Sequence, residues 1–176
     1  MRIFLGFVGL GLALSACSGG DAGGNSADVT ETDVTATDSA SLVAEGYQKS
    51  FGRAWDRAGD GRSPTSGCAG VFGRAVGLLK TTATDGQPRA DAITALNACY
   101  VLAMARYVDV KLASDDQDTE KCMDMLRALP VHRRSLGGFL DDVGEDKAAY
   151  DSRLNDLIGD KLRSACPDSA AVLLGG

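Results

Sequence analysis

Positive charge is in short supply in this chain of 176 residues: 18 Lys plus Arg stand against 24 Asp plus Glu, a net charge of −6. Without a basic field to displace counterions from a phosphate backbone, nucleic acid is disfavoured as a partner. Aromatic residues make up 6% and histidine occurs once. Long apolar runs are also missing beyond the N-terminus. The longest, Ala98 to Ala105, falls far below the roughly 20 residues of a spanning helix. No stretch alternates with period two for long enough to make a strand.

The N-terminus departs from this pattern. Arg2 is followed by an uncharged apolar run from Ile3 to Ala13 and then by Leu14-Ser15-Ala16-Cys17. That is the layout of a secretory signal: a positive start, a short apolar segment and a small-residue cleavage region. Leu14-Ser15-Ala16-Cys17 resembles the lipobox of bacterial lipoproteins. The resemblance covers the signal only. It implies cleavage before Cys17, a thioether-linked diacylglycerol on the Cys17 sulfur and a further acyl chain, such as palmitate, on the new amino terminus. A thiolate is the nucleophile that takes the lipid, and burying several acyl chains at about 0.8 kcal/mol per CH₂ makes release very slow. Ser18, rather than Asp, after the lipidated cysteine implies an outer-membrane, periplasm-facing address in a Gram-negative host.

Residues 18–41 contain only Ser, Gly, Asp, Ala, Thr, Val, Asn and Glu, the composition of a disordered tether. Such a chain has an end-to-end distance of roughly 25 to 30 Å and a limit near 80 Å. Asp21, Asp28, Glu31, Asp33 and Asp38 carry most of the net charge, leaving 17 basic and 19 acidic residues from position 42 onward. The expected organisation is a signal over 1–16, the lipidated cysteine and tether over 17–41, a helical domain over 42–170 and a flexible tail over 171–176.

From Leu42 the apolar period is helical. Ile93, Leu96, Tyr100, Ala103, Tyr107 and Val110 recur at three- and four-residue steps, which predicts a helix over 90–113 with one buried face. Tyr150, Leu154, Leu157, Ile158 and Leu162 do the same over about 146–166. Shorter helices are predicted over 43–57, 67–80 and 119–129. Pro130 is expected to break or kink the chain before 131–143. Turns are expected at Gly59-Asp60-Gly61, Asp85-Gly86, Ser114-Asp115-Asp116 and Gly144. The fold class is all-α, a small bundle of about five to six helices.

Setting Cys17 aside leaves Cys68, Cys99, Cys122 and Cys166, an even number in a compartment that permits disulfides. In an antiparallel helix pair, facing residues share the midpoint of the turn. The midpoint of Cys68 and Cys99 falls between Ala83 and Thr84, inside a predicted loop, and that of Cys122 and Cys166 falls on Gly144. Pairing Cys99 with Cys122 would centre near residue 110, within a helix. Small neighbours support the first bridge: Gly67, Ala69 and Gly70 flank Cys68, and Ala95 and Ala103 lie one turn from Cys99, as the short Cα separation of a disulfide requires. Zinc is the rival, but its structural ligands come in close pairs, and no two of these cysteines are closer than 23 residues.

Few residues suggest chemistry. His132, in Val131-His132-Arg133-Arg134 after Pro130, has no nucleophile motif beside it and reads as a solvated basic helix start. With Arg127 it offers an alternative contact for an anion or acidic partner. Asp116, Asp118 and Glu120 have the opening spacing of a calcium loop, but Lys121 and Arg127 occupy positions the loop cannot spare, so they are read as capping the helix near Thr119. Asp141, Asp142, Glu145 and Asp146 read as a solvated turn rather than paired catalytic carboxylates. Gly70, Gly73 and Gly77 read as a small-residue face for close helix packing. Tyr47, Phe51 and Trp55 recur every four residues and are either core or an exposed aromatic stripe for a partner.

The expectation is a lipoprotein held in the bilayer through Cys17, acting without a cofactor as a non-enzymatic interaction module for another envelope protein, as an assembly factor or an inhibitor. Small helical lipoproteins of pilotin or immunity type are similar in architecture only. The alternatives are a binder of a small apolar ligand within the bundle and an envelope hydrolase.

Overall fold

The computed structural model describes residues 43–81 and 85–175. The predicted signal, Cys17 and the tether lie outside the described residues. Helix α1 spans Glu45–Gly59, α2 Thr65–Thr81, α3 Gly86–Asn97, α4 Ala103–Ala113, α5 Asp118–Asp141 and α6 Lys147–Ala165. A π-helical segment, Ala98–Leu102, joins α3 to α4 without a break, and a 3₁₀ turn, Pro167–Ser169, leads into a short α7, Ala170–Leu173. No strand occurs among the described residues, and the all-α bundle matches the periodicity of the sequence.

Helix ends follow local chemistry. Glu45 sits in the first turn of α1 and Arg57 in its last, where each charge complements the helix dipole. Arg57 Nε then donates to the Ser63 carbonyl at 3.1 Å, closing the loop to α2. Asp118 and Glu120 occupy the first turn of α5. Asp146 accepts from the Ala148 amide at 2.9 Å and caps α6, with Gly144 at φ +71° supplying the left-handed turn before it. The remaining acids of that turn are paired across the bundle, Asp142 with Lys80 and Glu145 with Arg89.

The helix through α3, the π segment and α4 is the axis of the bundle. Ala98, Cys99, Tyr100, Val101, Ala103, Met104 and Ala105 are all buried in sequence, so this stretch is apolar all round and surrounded by neighbours. Helix α2 packs on α1, α3 and α5, while α4 and α5 pack on α6. Both cysteine pairs form as their midpoints predict: Cys68 bonds Cys99 with Cα atoms 5.5 Å apart, and Cys122 bonds Cys166 at 5.7 Å.

Three expectations are corrected. Pro130 does not end a helix; α5 runs through it from Asp118 to Asp141. An internal proline costs about 3 kcal/mol, but Met125, Leu129, Leu136 and Leu140 are all buried to within 1% on one face, and at roughly 1.5 to 3 kcal/mol each their burial outweighs it. The glycines that face close packing are not Gly73 and Gly77, beside which a Cβ would meet nothing within 4 Å; Gly67 is the tight one, where a Cβ would lie 2.7 Å from Ala54 Cα on α1. The segment 171–175 is not a free tail. Leu173 is fully buried, and α7 lies against α5 and α6.

Candidate functional site

The sequence drew attention to the aromatic stripe of α1 and to His132, and the structure moves both inward. Tyr47 is 5% exposed and Phe51 2%; Trp55 is partly buried, 5.6 Å from the Phe51 ring, with the Arg106 guanidinium 4.3 Å above it. Burial pushes the Tyr47 hydroxyl pKa up. Tyr47, Phe51 and Trp55 therefore lie on the inner face of α1 and not on an exposed stripe, because α1 packs on α2 and α4.

His132 is wholly buried rather than a solvated helix start. With α5 unbroken, it falls on the same face as Leu129 and Leu136. Its Nε2 lies 2.9 Å from the Tyr100 carbonyl, which can only accept, so Nε2 carries the proton and Nδ1 is the acceptor. The Thr65 hydroxyl, 3.1 Å away, donates to Nδ1, and the Ser63 hydroxyl at 2.9 Å completes a chain of three side chains. Burial holds the imidazole down to about pKa 4, against the opposing effect of its hydrogen bond to the Tyr100 carbonyl. Thr65 stands in the first turn of α2 and Ser63 in the loop that Arg57 closes, so the loop geometry positions both hydroxyls.

Tyr100 is the hub of a second cluster. Its ring packs near Phe72, His132 and Tyr150, and its hydroxyl donates to Asp151 at 2.8 Å. Arg133, 8% exposed, meets the same carboxylate oxygen at 2.8 Å, and Lys147 holds the other. Burial raises the Asp151 pKa, but the hydrogen bonds from Lys147 and Tyr100 and the Arg133 charge outweigh it and keep the carboxyl low. Desolvation first, and then Asp151, drive the Tyr100 phenol strongly upward. The Tyr150 phenol is pushed up to about 12 by burial and by Glu145. Both phenols stay neutral, and the Arg133–Asp151 pair ties α5 to α6 inside the bundle.

Two hollows flank the outer side of α5. A cleft of about 410 Å³ is lined by Ser63 and Thr65 at the outer end of the hydroxyl chain, by Tyr107, and by Arg127 and Val131 of α5. A groove of about 220 Å³ runs beside the Cys122–Cys166 bridge and is lined by Met123, Leu126 and Pro167. Met123 and Val131 are 44% and 48% exposed, among the few large apolar side chains left in solvent. Arg127 and Arg134 are exposed near them. Of the basic group read around His132, α5 thus sends His132 and Arg133 into the core and leaves Arg127 and Arg134 outside.

Among the described residues no cluster of three or more His, Cys, Asp or Glu side chains is placed to hold a metal ion, and no helix is long and apolar enough to cross a membrane. No family model, curated protein or solved structure matches this chain.

Proposed function

We propose that this chain is a lipid-anchored envelope protein whose stapled helical domain is a non-enzymatic interaction module, with the outer ridge of α5 as its docking face. The observation that carries this reading is the allocation of groups along α5. Its only histidine has both ring nitrogens engaged and no exposure, while Met123, Arg127 and Val131 remain outside between two hollows. Methionine and arginine are both enriched at protein interfaces, and arginine at their hot spots. The hydrolase alternative places His132 beside a carboxylate in a cleft, whereas its hydrogen-bond partners are the Thr65 hydroxyl and the Tyr100 carbonyl.

The anchoring half of the reading is supported by Leu14-Ser15-Ala16-Cys17 and by the two disulfides, which belong to an oxidising compartment. Mass spectrometry of the mature amino terminus tests it: an acylated Cys17 is expected, and an unmodified or uncleaved terminus would contradict it. Photo-crosslinking in intact cells from positions along α5 tests the docking face.

A further inference from the structure

The two disulfides are unequal in their surroundings. Cys68 and Cys99 are both fully buried between α2 and the π segment. Cys122 is only partly buried, and with Cys166 it forms a wall of the open groove beside Met123 and Leu126. Cys166 itself is 3% exposed and Cys122 only partly buried, so Cys122 is the more accessible half of the bridge.

Cys166 also occupies a special place in the chain. It is the C-cap of α6, with φ −131° and ψ 55°, where the backbone turns out of the helix. The strap that follows, residues 167–175, is a 3₁₀ turn and a short helix lying against α5 and α6. Its α7 is four residues long, far too short to hold together without outside contacts. Two anchors fix it. At one end the disulfide pins Cys166 to the second turn of α5. At the other, Arg133 donates to the Leu173 carbonyl at 3.4 Å, Asn155 donates to the Leu174 carbonyl at 3.0 Å, and the Leu173 side chain is buried.

We infer that Cys122–Cys166 is a thiol–disulfide exchange site, taking a dithiol of the oxidoreductase class as its co-reactant, and that its reduction loosens the strap 167–175, whose first residues wall the groove, from α5 and α6. A thiolate of the dithiol attacks Cys122 Sγ and forms a mixed disulfide, and the Cys166 sulfur leaves as a thiolate that takes up a proton. The second thiol of the donor then attacks the donor sulfur of the mixed bond, releasing Cys122 as a thiol. Two electrons and two protons pass to the protein, and the donor ends as a disulfide. The strap then keeps the Arg133 and Asn155 hydrogen bonds and the buried Ala170 and Leu173 side chains. The inference does not depend on the lipid anchor or on the docking face.

The test uses the full chain, oxidised, with dithiothreitol as the dithiol and alkylation read by peptide mass spectrometry. Cys122 and Cys166 are expected to be alkylated at least about tenfold faster than Cys68 and Cys99, because buried bridges are protected from attacking thiolates. Hydrogen exchange on the partly reduced protein should show lost protection over 167–175 with α2 and the π segment unchanged. A dithiol oxidoreductase lacking its resolving cysteine should be trapped on Cys122. Equal rates for the two bridges, earlier reduction of Cys68–Cys99, unchanged protection of the strap, or trapping on Cys166 would each overturn the inference. The paired substitution C122A and C166A should open the strap without reductant; the kinetics of the unaltered chain decide the matter if that variant does not fold.

Discussion

His132 and Tyr100 are joined twice, by a hydrogen bond of 2.9 Å from the imidazole Nε2 to the Tyr100 carbonyl and by ring packing with centroids 5.2 Å apart. The carbonyl belongs to the π-helical segment on the bundle axis. Such wide turns often mark functional positions; here the carbonyl fixes the tautomer of a buried histidine and, through it, the direction of the Thr65 and Ser63 hydroxyls.

That burial sets a pH dependence. The folded pKa of about 4 lies below the ordinary value of 6.5, so the unfolded chain binds the extra proton first. The stabilisation is present above pH 6.5 and is lost as pH falls toward 4. Between pH 7.5 and pH 5 unfolding free energy should drop by about 2 kcal/mol. Asp151, whose pKa is lowered, loses its contribution only below the carboxylate range, and there is no second histidine. Urea unfolding at both pH values checks this: His132→Gln should flatten the profile, and a flat profile for the unaltered chain would contradict it.

Gly67 and Gly73 should respond oppositely to the same change. Gly67→Ala sets a Cβ against the α1 backbone at Ala54 and should cost about 1 to 3 kcal/mol, since helix axes and not a flexible side chain must give way. Gly73→Ala meets open space on an exposed helix face and should stabilise by about 0.5 to 1 kcal/mol. Equilibrium denaturation of the two variants separates them.

Helical period and cysteine midpoints carried most of the fold. The Gly144 midpoint is a turn in the structure; the other midpoint, at Ala83 and Thr84, lies outside the described residues. The candidate site was less legible, for a reason visible in α5. Leu129, His132, Arg133, Leu136 and Leu140 follow the three- and four-residue spacing of a buried face, which places both polar residues inside. Treating Pro130 as a stop cuts that face in two and turns His132 into a helix start. Ser63, Thr65 and Asp151 carried no signal, because what makes them matter is a contact with residues tens of positions away. The Tyr47, Phe51 and Trp55 period fits one face of α1 but could not say whether that face was core or an exposed stripe; the structure turns it inward.

Loss of the Cys68–Cys99 bridge should be costly. The two residues are 31 apart in sequence, and closing a loop of that size stabilises by about 3 to 4 kcal/mol in the loop-entropy model. C68A with C99A should lower the urea midpoint accordingly, with the slope altered only as far as the unfolded chain expands.

The Arg133–Asp151 pair should behave as a buried brace. Arg133→Leu strips one cation from a carboxylate that keeps Lys147 and Tyr100, and should cost about 2 kcal/mol or more. Adding D151N to R133L should cost less than the sum of the two single changes, the signature of a coupled pair in a double-mutant cycle.

Docking of an envelope partner on the exposed ridge of α5, as proposed, is open to direct measurement. Photo-crosslinkers placed singly at Val131, Arg127 and Met123, with Gly73 on the exposed face of α2 as the comparison, test it in intact cells. One discrete envelope-protein adduct is expected from the α5 positions and none from Gly73, with loss of the adduct when a neighbouring α5 position carries Asp. No adduct from α5, or equal adducts from α5 and Gly73, would contradict it.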